Sequence, residues 1–175
     1  MPLHDSFLPE NPVGLGDENP RWQVIDNNND GYMYAWTNRR EAGADGTTGF
    51  AMCQTNKFKD TDDYLMTHPI AMEAGMIHVS FYYAGGDDSR EAMEVLFGKS
   101  SEELSALSQI IDLPEIQGNK WRLCSADIPV TEDGEYVIAF HSKSTTEGFQ
   151  VRIDEVDIDY GAYVKTPDIE ITGAK

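Results

Sequence analysis

The sequence predicts an all-β fold, an antiparallel β-sandwich of jelly-roll type, and three observations carry that prediction. Apolar and polar residues alternate with period two through most of the chain, the pattern of half-buried strands. Turn-forming clusters punctuate the alternating stretches: Gly85-Gly86-Asp87-Asp88, Gly118-Asn119 and Asp133-Gly134. No rhythm of strand and long helix runs through the chain, which argues against a parallel sheet. Many strands with loop-rich connections point instead to two stacked antiparallel sheets.

The elements follow in order. Residues 1–20 hold Pro2, Pro9, Pro12, Gly14, Gly16 and Pro20 and read as a winding entry segment, with a short strand at Phe7-Leu8. Weaker strands are expected at WQVID (22–26), TGFAMCQ (48–54), DYLMTHPI (63–70) and NKWRLCSADI (119–128). In GMIHVSFYYAGG, Ile77, Val79, Phe81 and Tyr83 share one face. In EAMEVLFGK, Met93, Val95 and Phe97 do the same. In GEYVIAFHS both parities are apolar, so this strand is expected to be covered on both sides. Ser100 and Glu103 fit a capping box, and Leu104, Leu107 and Ile111 fit one or two helical turns. In GFQVRIDEVDIDY the apolar parity switches from Phe149, Val151 and Ile153 to Val156, Ile158 and Tyr160. Either a β-bulge lies at Asp154-Glu155, or the strand ends at Ile153 and an acidic run follows. A last strand is expected to end at Tyr163 or Val164, with a linker toward a further domain beginning at Thr166-Pro167. The expected division is a domain at 5–163 and a tail at 164–175.

Composition narrows the function. The chain has 175 residues, one domain's length, with 31 Asp+Glu against 13 Lys+Arg, for a net charge of −18. That surplus excludes a nucleic-acid surface and electrostatic docking on an anionic membrane. No apolar run is long enough to span a bilayer, and no signal peptide is visible at the amino terminus, so the expectation is either a cytoplasmic protein or a mature or excised piece of a secreted one. Cys53 and Cys124 make no disulfide framework. A single bridge between them is conceivable, but two free thiols on strands fit their apolar neighbours better.

The sharpest local motif is Asp26-Asn27-Asn28-Asn29-Asp30-Gly31. Oxygen-bearing side chains at alternate positions followed by a turn glycine are what a Ca²⁺ loop needs, because the ion takes about six to eight oxygens. An EF-hand is rejected: its bidentate glutamate would fall at Thr37, and WQVI reads as strand rather than helix. The competing reading is an Asn/Asp-rich turn without metal; the anionic surplus favours the cation. Asp154, if a bulge aims it inward, needs a partner, and a cation would offset its burial. Asp62 and Asp63 precede a strand and form either a third arm of the metal site or a solvated turn. Tyr32, Tyr34 and Trp36 alternate after the loop. They fit either a sugar-stacking platform or ordinary core packing. His68, His78 and His141 lack metal-ligand spacing, and no nucleophile elbow, phosphate loop or dinucleotide fingerprint occurs.

Taken in order, these segments resemble the cleaved-adhesin, or choice-of-anchor J, domain family. WQVIDNNNDGY is similar to its "GW-x-x-ID-x-D-x-DG" opening, DDYLMTHPI to "DDWLITPPI", and MIHVSFYYAGG to "L-x-F-x-Y". MEVLFGKSSEELSAL, WRLCSADIP, GEYVIAFHSKST and FQVRIDEVDI resemble the later strands, the last matching "L-x-I-D-D-V-x-I" with Glu155 in place of the second aspartate. The early Phe-Glu of the family is Phe7-Leu8 here, so one cation ligand is missing or comes from Asp5 or Glu10. The resemblance covers about Asp5 to Tyr163. It implies a galactose-binding-like jelly roll and a non-catalytic extracellular or cell-surface module with structural Ca²⁺. It also implies ligands at Asp26, Asn28, Asp30 and Asp154, with Asp63 as a further one.

The function expected is an adhesin or binding module of a larger bacterial surface or secreted protein. Its partners would be a host or neighbouring-cell protein or glycan and other domains of the same polypeptide. A carbohydrate-binding module attached to a glycan-degrading enzyme is the alternative; it requires Trp36, Tyr32 and Tyr34 to form an exposed platform. A jelly-roll glycosidase would require two carboxylates facing each other across a groove, and nothing in the sequence favours it.

Overall fold

A computed structural model of the chain describes residues 3–8 and 12–160. Among them run twelve strands: β1 (Leu3–Asp5), β2 (Trp22–Asp26), β3 (Trp36–Ala42), β4 (Thr48–Gln54), β5 (Asp63–Thr67), β6 (Ile70–Met72), β7 (Gly75–Gly85), β8 (Arg90–Lys99), β9 (Ser108–Gln117), β10 (Arg122–Val130), β11 (Gly134–Ser142) and β12 (Gln150–Asp159). They form two antiparallel sheets. One has the order β10-β7-β12-β4-β3, with β1 also on β12; the other has β2-β5-β11-β8-β9, with β6 also on β11. This is the expected sandwich. No helix among the described residues is long and apolar enough to cross a membrane.

Alternation places the core. Ile77, Val79 and Phe81 of β7 and Met93 and Val95 of β8 have no exposed surface; Ile138 and Phe140 of β11 and Ile153 of β12 are equally buried. Trp22 packs between Phe7 and Phe140, with ring centroids at 5.9 and 6.0 Å, and Phe140 meets Phe81 edge to face at 5.0 Å. The outer face of β11 is covered as well: Val137 and Ala139 join Tyr64, Leu96 and Leu107 in a second, smaller cluster. Such doubly covered strands read as continuous apolar runs.

The switch of parity in β12 is a bulge. Its pairing with β7 shifts register between Asp154 and Asp157, and Glu155 adopts a left-handed backbone with φ 49°. The bulge also divides one edge of β12 between two partners: β4 pairs with Gln150–Ile153 and β1 with Val156–Ile158.

Three expectations are corrected. The helix at 100–111 reduces to one 3-10 turn at Leu104–Ala106, Glu103 makes no side-chain cap, and Ile111 lies in β9. The run was too short to repay helix nucleation, and pairing with β8 satisfies its backbone. The first strand lies at Leu3–Asp5 rather than Phe7-Leu8, where Phe7 turns left-handed with φ 53° and buries its ring. The stretch 63–70 is two strands, because Pro69 has no N–H to donate. Among the described residues β12 ends at Asp159; the strand end expected at Tyr163 or Val164, the linker and Glu10 lie outside them. Both cysteines are free thiols, Cys53 buried and Cys124 half-buried.

Candidate metal centre

Antiparallel pairing builds the centre. Asp26 is the last residue of β2, Asp63 the first of β5, and the register sets them opposite each other. Asp26 shares the inward parity of Trp22 and Val24, and Asp63 that of Leu65 and Thr67. Both carboxylates therefore converge on the inner rim of the sandwich. The loop after β2 then turns back: Asp26 Oδ1 accepts from the Asp30 N–H at 3.2 Å and Oδ2 from the Gly31 N–H at 2.8 Å. Gly31, at φ 100°, occupies backbone space that L side chains rarely enter. The result brings one oxygen from each of Asp26, Asp30 and Asp63 within 4.8 Å of the others. Two oxygens on opposite sides of a Ca²⁺ ion, each at about 2.3–2.6 Å, stand about that far apart.

A second segment completes the enclosure. Asn28 Nδ2 donates to the Asp60 carbonyl at 2.8 Å, Asn56 Nδ2 donates to Asp30 Oδ2 at 3.3 Å, and the Trp36 indole N–H donates to the Asp63 carbonyl at 3.0 Å. Asn28 Oδ1, Asp30 Oδ1 and Asp63 Oδ1 are buried and have no hydrogen-bond partner among the described residues. Buried polar atoms are nearly always paired, so three unpaired oxygens around one cluster need an explanation. Burial, reinforced by the charges of Asp30 and Asp26, pushes the Asp63 carboxyl up to about 8. Burial and the Asp26 carboxylate raise Asp30 too. Burial acts upward on Asp26 as well, but the Gly31 and Asp30 N–H groups outweigh it and hold this carboxyl below its ordinary value. The donor set is all oxygen, three carboxylates and one amide, which suits a hard divalent cation. Burial pushes the neighbouring Cys53 thiol well up, so it stays protonated and out of the donor set.

The structure thus brings together Asp26, Asn28, Asp30 and Asp63, and it leaves Asp154 out. Asp154, at the bulge on the other sheet, has no exposed surface. Its Oδ2 accepts from the Ala44 N–H at 2.9 Å and the Thr47 hydroxyl at 2.8 Å, and its Oδ1 from the Glu155 N–H at 2.8 Å. The inward aim was right and the destination was not: the carboxylate pins the 43–47 loop, and burial raises it to about 6. Asp5, considered as a replacement cation ligand, is likewise engaged elsewhere. It accepts from the Phe7 N–H at 2.7 Å and the Trp22 indole at 2.8 Å.

The aromatic platform is also corrected. Trp36 has no exposed surface, Tyr34 is half-buried, and Tyr32 is 75% exposed. Tyr32–Tyr34 form a 3-10 turn, so the three rings do not share a strand face. Core packing won because β3 begins at Trp36 and drives its indole beneath the cation loop. Sequence reasoning missed Asn56 and Asp60, which lie about thirty residues from the loop they bind. Their only signal was position just before Asp62-Asp63. His141, expected to be structural, bridges Asp62 at 2.6 Å and Glu94 at 2.7 Å while stacking on Tyr64 at 4.1 Å.

No family model matches the sequence, and no curated protein matches it. Solved structures do. The K1 cleaved adhesin domain of Lys-gingipain from Porphyromonas gingivalis W83 is 21% identical, over 92% of this chain and 99% of that one, with a TM-score of 0.70. The K2 cleaved adhesin domain of Lys-gingipain is 15% identical over 90% and 99%, with a TM-score of 0.70. The CBM22-1 xylan-binding domain from Paenibacillus barcinonensis is 10% identical over 90% and 92%, with a TM-score of 0.53. At such identities the likeness is one of fold. The chain has the jelly-roll sandwich of the cleaved adhesin domains, a sandwich also found in carbohydrate-binding modules.

Proposed function

We propose that the chain is a non-catalytic, extracellular binding module of a larger bacterial surface or secreted protein, with structural Ca²⁺ held by Asp26, Asn28, Asp30 and Asp63. The observation that carries the cation is the group of buried, unpartnered oxygens Asn28 Oδ1, Asp30 Oδ1 and Asp63 Oδ1 beside three converging carboxylates. Without a counter-ion this rim of the core concentrates like charge and stands against folding. With one, the same oxygens tie β2, β5 and the 55–62 segment together. Fold likeness to adhesin and carbohydrate-binding modules supports the binding role. A platform of Trp36, Tyr32 and Tyr34 no longer supports a sugar-binding variant, because Trp36 is buried.

Thermal melts in chelator and in added Ca²⁺ test the cation. Free Ca²⁺ at about a thousand times Kd contributes roughly 4 kcal/mol through linkage. For a chain of this size that is on the order of 8–16 °C in melting temperature. Melts that coincide within about a degree reject the tight site, since that shift corresponds to well under 1 kcal/mol.

A further inference from the structure

The 3-10 turn at Leu104–Ala106 and the outer face of β2 and β5 line one open groove of about 560 Å³. Its floor comes from the two strands: the register sets Ile25 opposite Tyr64, and Met66 shares the outward parity of Tyr64. Leu104 closes on the same space from the turn. Ile25, Met66 and Leu104 pack against the smaller apolar cluster yet stay half-buried, so they leave apolar surface in the groove. Asn27 lines it beside the cation loop. Its side-chain amide donates to Asp62 at 2.8 Å and its N–H to the Asp62 carbonyl at 3.1 Å. The volume lies within the range of about 300–1,000 Å³ typical of ligand sites.

Charge selects the occupant. Glu102 and Glu103 line the groove too; both are exposed, and neither carboxylate has a hydrogen bond or ion pair among the described residues. No described lysine, arginine or histidine lines it. An aliphatic floor beside two unpaired carboxylates complements a side chain with a long apolar stem and a cationic head. Arginine has both, and it is enriched at protein interfaces where lysine is depleted. The net charge of −18 draws a cationic segment in and drives a second copy of this chain away. A sugar fits less well, because the ring in the lining, Tyr64, is 7% exposed and stacked on His141 at 4.1 Å. We propose that the groove between β5 and the 102–105 turn receives an arginine-bearing peptide segment of a partner protein. Glu102 and Glu103 hold the guanidinium, and Ile25, Met66 and Leu104 take its stem and an aliphatic neighbour. The inference rests on the binding-module reading and gives it a surface and a partner chemistry.

The test titrates the full chain, in millimolar Ca²⁺ and physiological salt, with acetylated pentapeptides that carry a central arginine flanked by valine, leucine or serine. The same peptides with citrulline, the neutral isostere, in place of arginine serve as comparators, with calorimetry as the readout. The expected result is binding of an arginine peptide with aliphatic flanks, about tenfold tighter than its citrulline twin. Glu102→Gln with Glu103→Gln weakens it about tenfold and flattens its salt dependence. Leu104→Ser weakens it without changing the salt dependence. Asp17→Asn with Glu18→Gln removes equal charge from another exposed stretch and leaves affinity within about twofold, which separates the groove from the general pull of an acidic protein. The two glutamates are exposed, so their variant keeps the parent's melting temperature. Three results overturn the groove: no arginine peptide binds, the citrulline peptides bind as tightly, or the glutamate variant binds no more weakly than the Asp17/Glu18 variant. In the last case the binding-module reading stands without this surface. Hydrolysis of a peptide during the titration overturns the non-catalytic reading instead, and coincident melts overturn the cation alone.

Discussion

Asp63 has no exposed surface and faces two other carboxylates, an arrangement that favours cation binding over stability without the ion. Asp63→Asn keeps the shape and an oxygen, removes the charge, and gives the amide two carboxylates to donate to. The expected outcome is a higher melting temperature in chelator and a much smaller rise on adding Ca²⁺. A variant that melts lower in chelator while keeping the full Ca²⁺ response contradicts the assignment. Asp154 yields a prediction of a different kind. Its carboxyl is raised from 3.8 to about 6 in the folded state. Below the lower value it is protonated in both states; between the two values only the folded state holds the proton. Stability therefore falls as pH rises through that window, by about 3 kcal/mol at most, and recovers on acidification. Other carboxylates add slopes of their own, so the readout is the difference between the parent and Asp154→Asn. Denaturant titrations from pH 4 to 7 should show the two converging at low pH and the parent losing stability relative to the variant above it.

At the scale of elements, the bulge in β12 decides the most. The parity switch after Ile153 was visible in the sequence, but two accounts of it remained, and pairing on both edges of β12 chose the bulge. Glu155 occupies its left-handed position at φ 49°, a conformation costing a non-glycine residue about 1–2 kcal/mol. Its ion pair with His4, at 3.6 Å and half exposed, returns little. Glu155→Gly relieves that strain at an entropic cost of about 0.5–1 kcal/mol, so it should raise stability slightly. Glu155→Val should lower it, because β-branching worsens the strain. Chemical denaturation of the pair reads the sign directly; a Val variant as stable as the Gly variant removes the strain argument. Strands with one apolar face, such as β7 and β8, were legible because pleating makes period two a direct record of burial. The stretch from the 3-10 turn into β9 was misread because Leu104, Leu107 and Ile111 satisfy a helical spacing by coincidence, and pairing of Ile111 with β8 is what sets it in a strand.

For the whole molecule, the charge of −18 sets a background that every cation experiment must subtract. Sodium chloride screens self-repulsion over a distance of about 8–10 Å and should raise the melting temperature gradually. A specific site instead saturates and ignores sodium at equal ionic strength, so the calcium melts need that control arm. The smaller apolar cluster outside β11 shows that the sandwich is not simply two sheets with wet outer faces. The 100–107 segment folds back over Leu96, Val137 and Ala139 and buries Leu107. Doubly apolar β11 announced that cover in the sequence, though not which segment supplied it.

By itself the sequence determined the class of fold, the positions of the principal strands, the loop Asp26–Gly31 and the change of parity after Ile153, because each is a local pattern of polarity or turn chemistry. Tertiary structure alone decided which carboxylates meet. Strand register put Asp63 opposite Asp26, whereas Asp154, on the other sheet, found the 43–47 loop instead. It also decided which rings face water: Trp36 went under the cation loop, while Phe58 stayed out. The physical reason is that a residue's neighbours along the chain fix its parity within a strand, but its neighbours across the sheet, which sequence spacing does not encode, fix what that side chain finally touches.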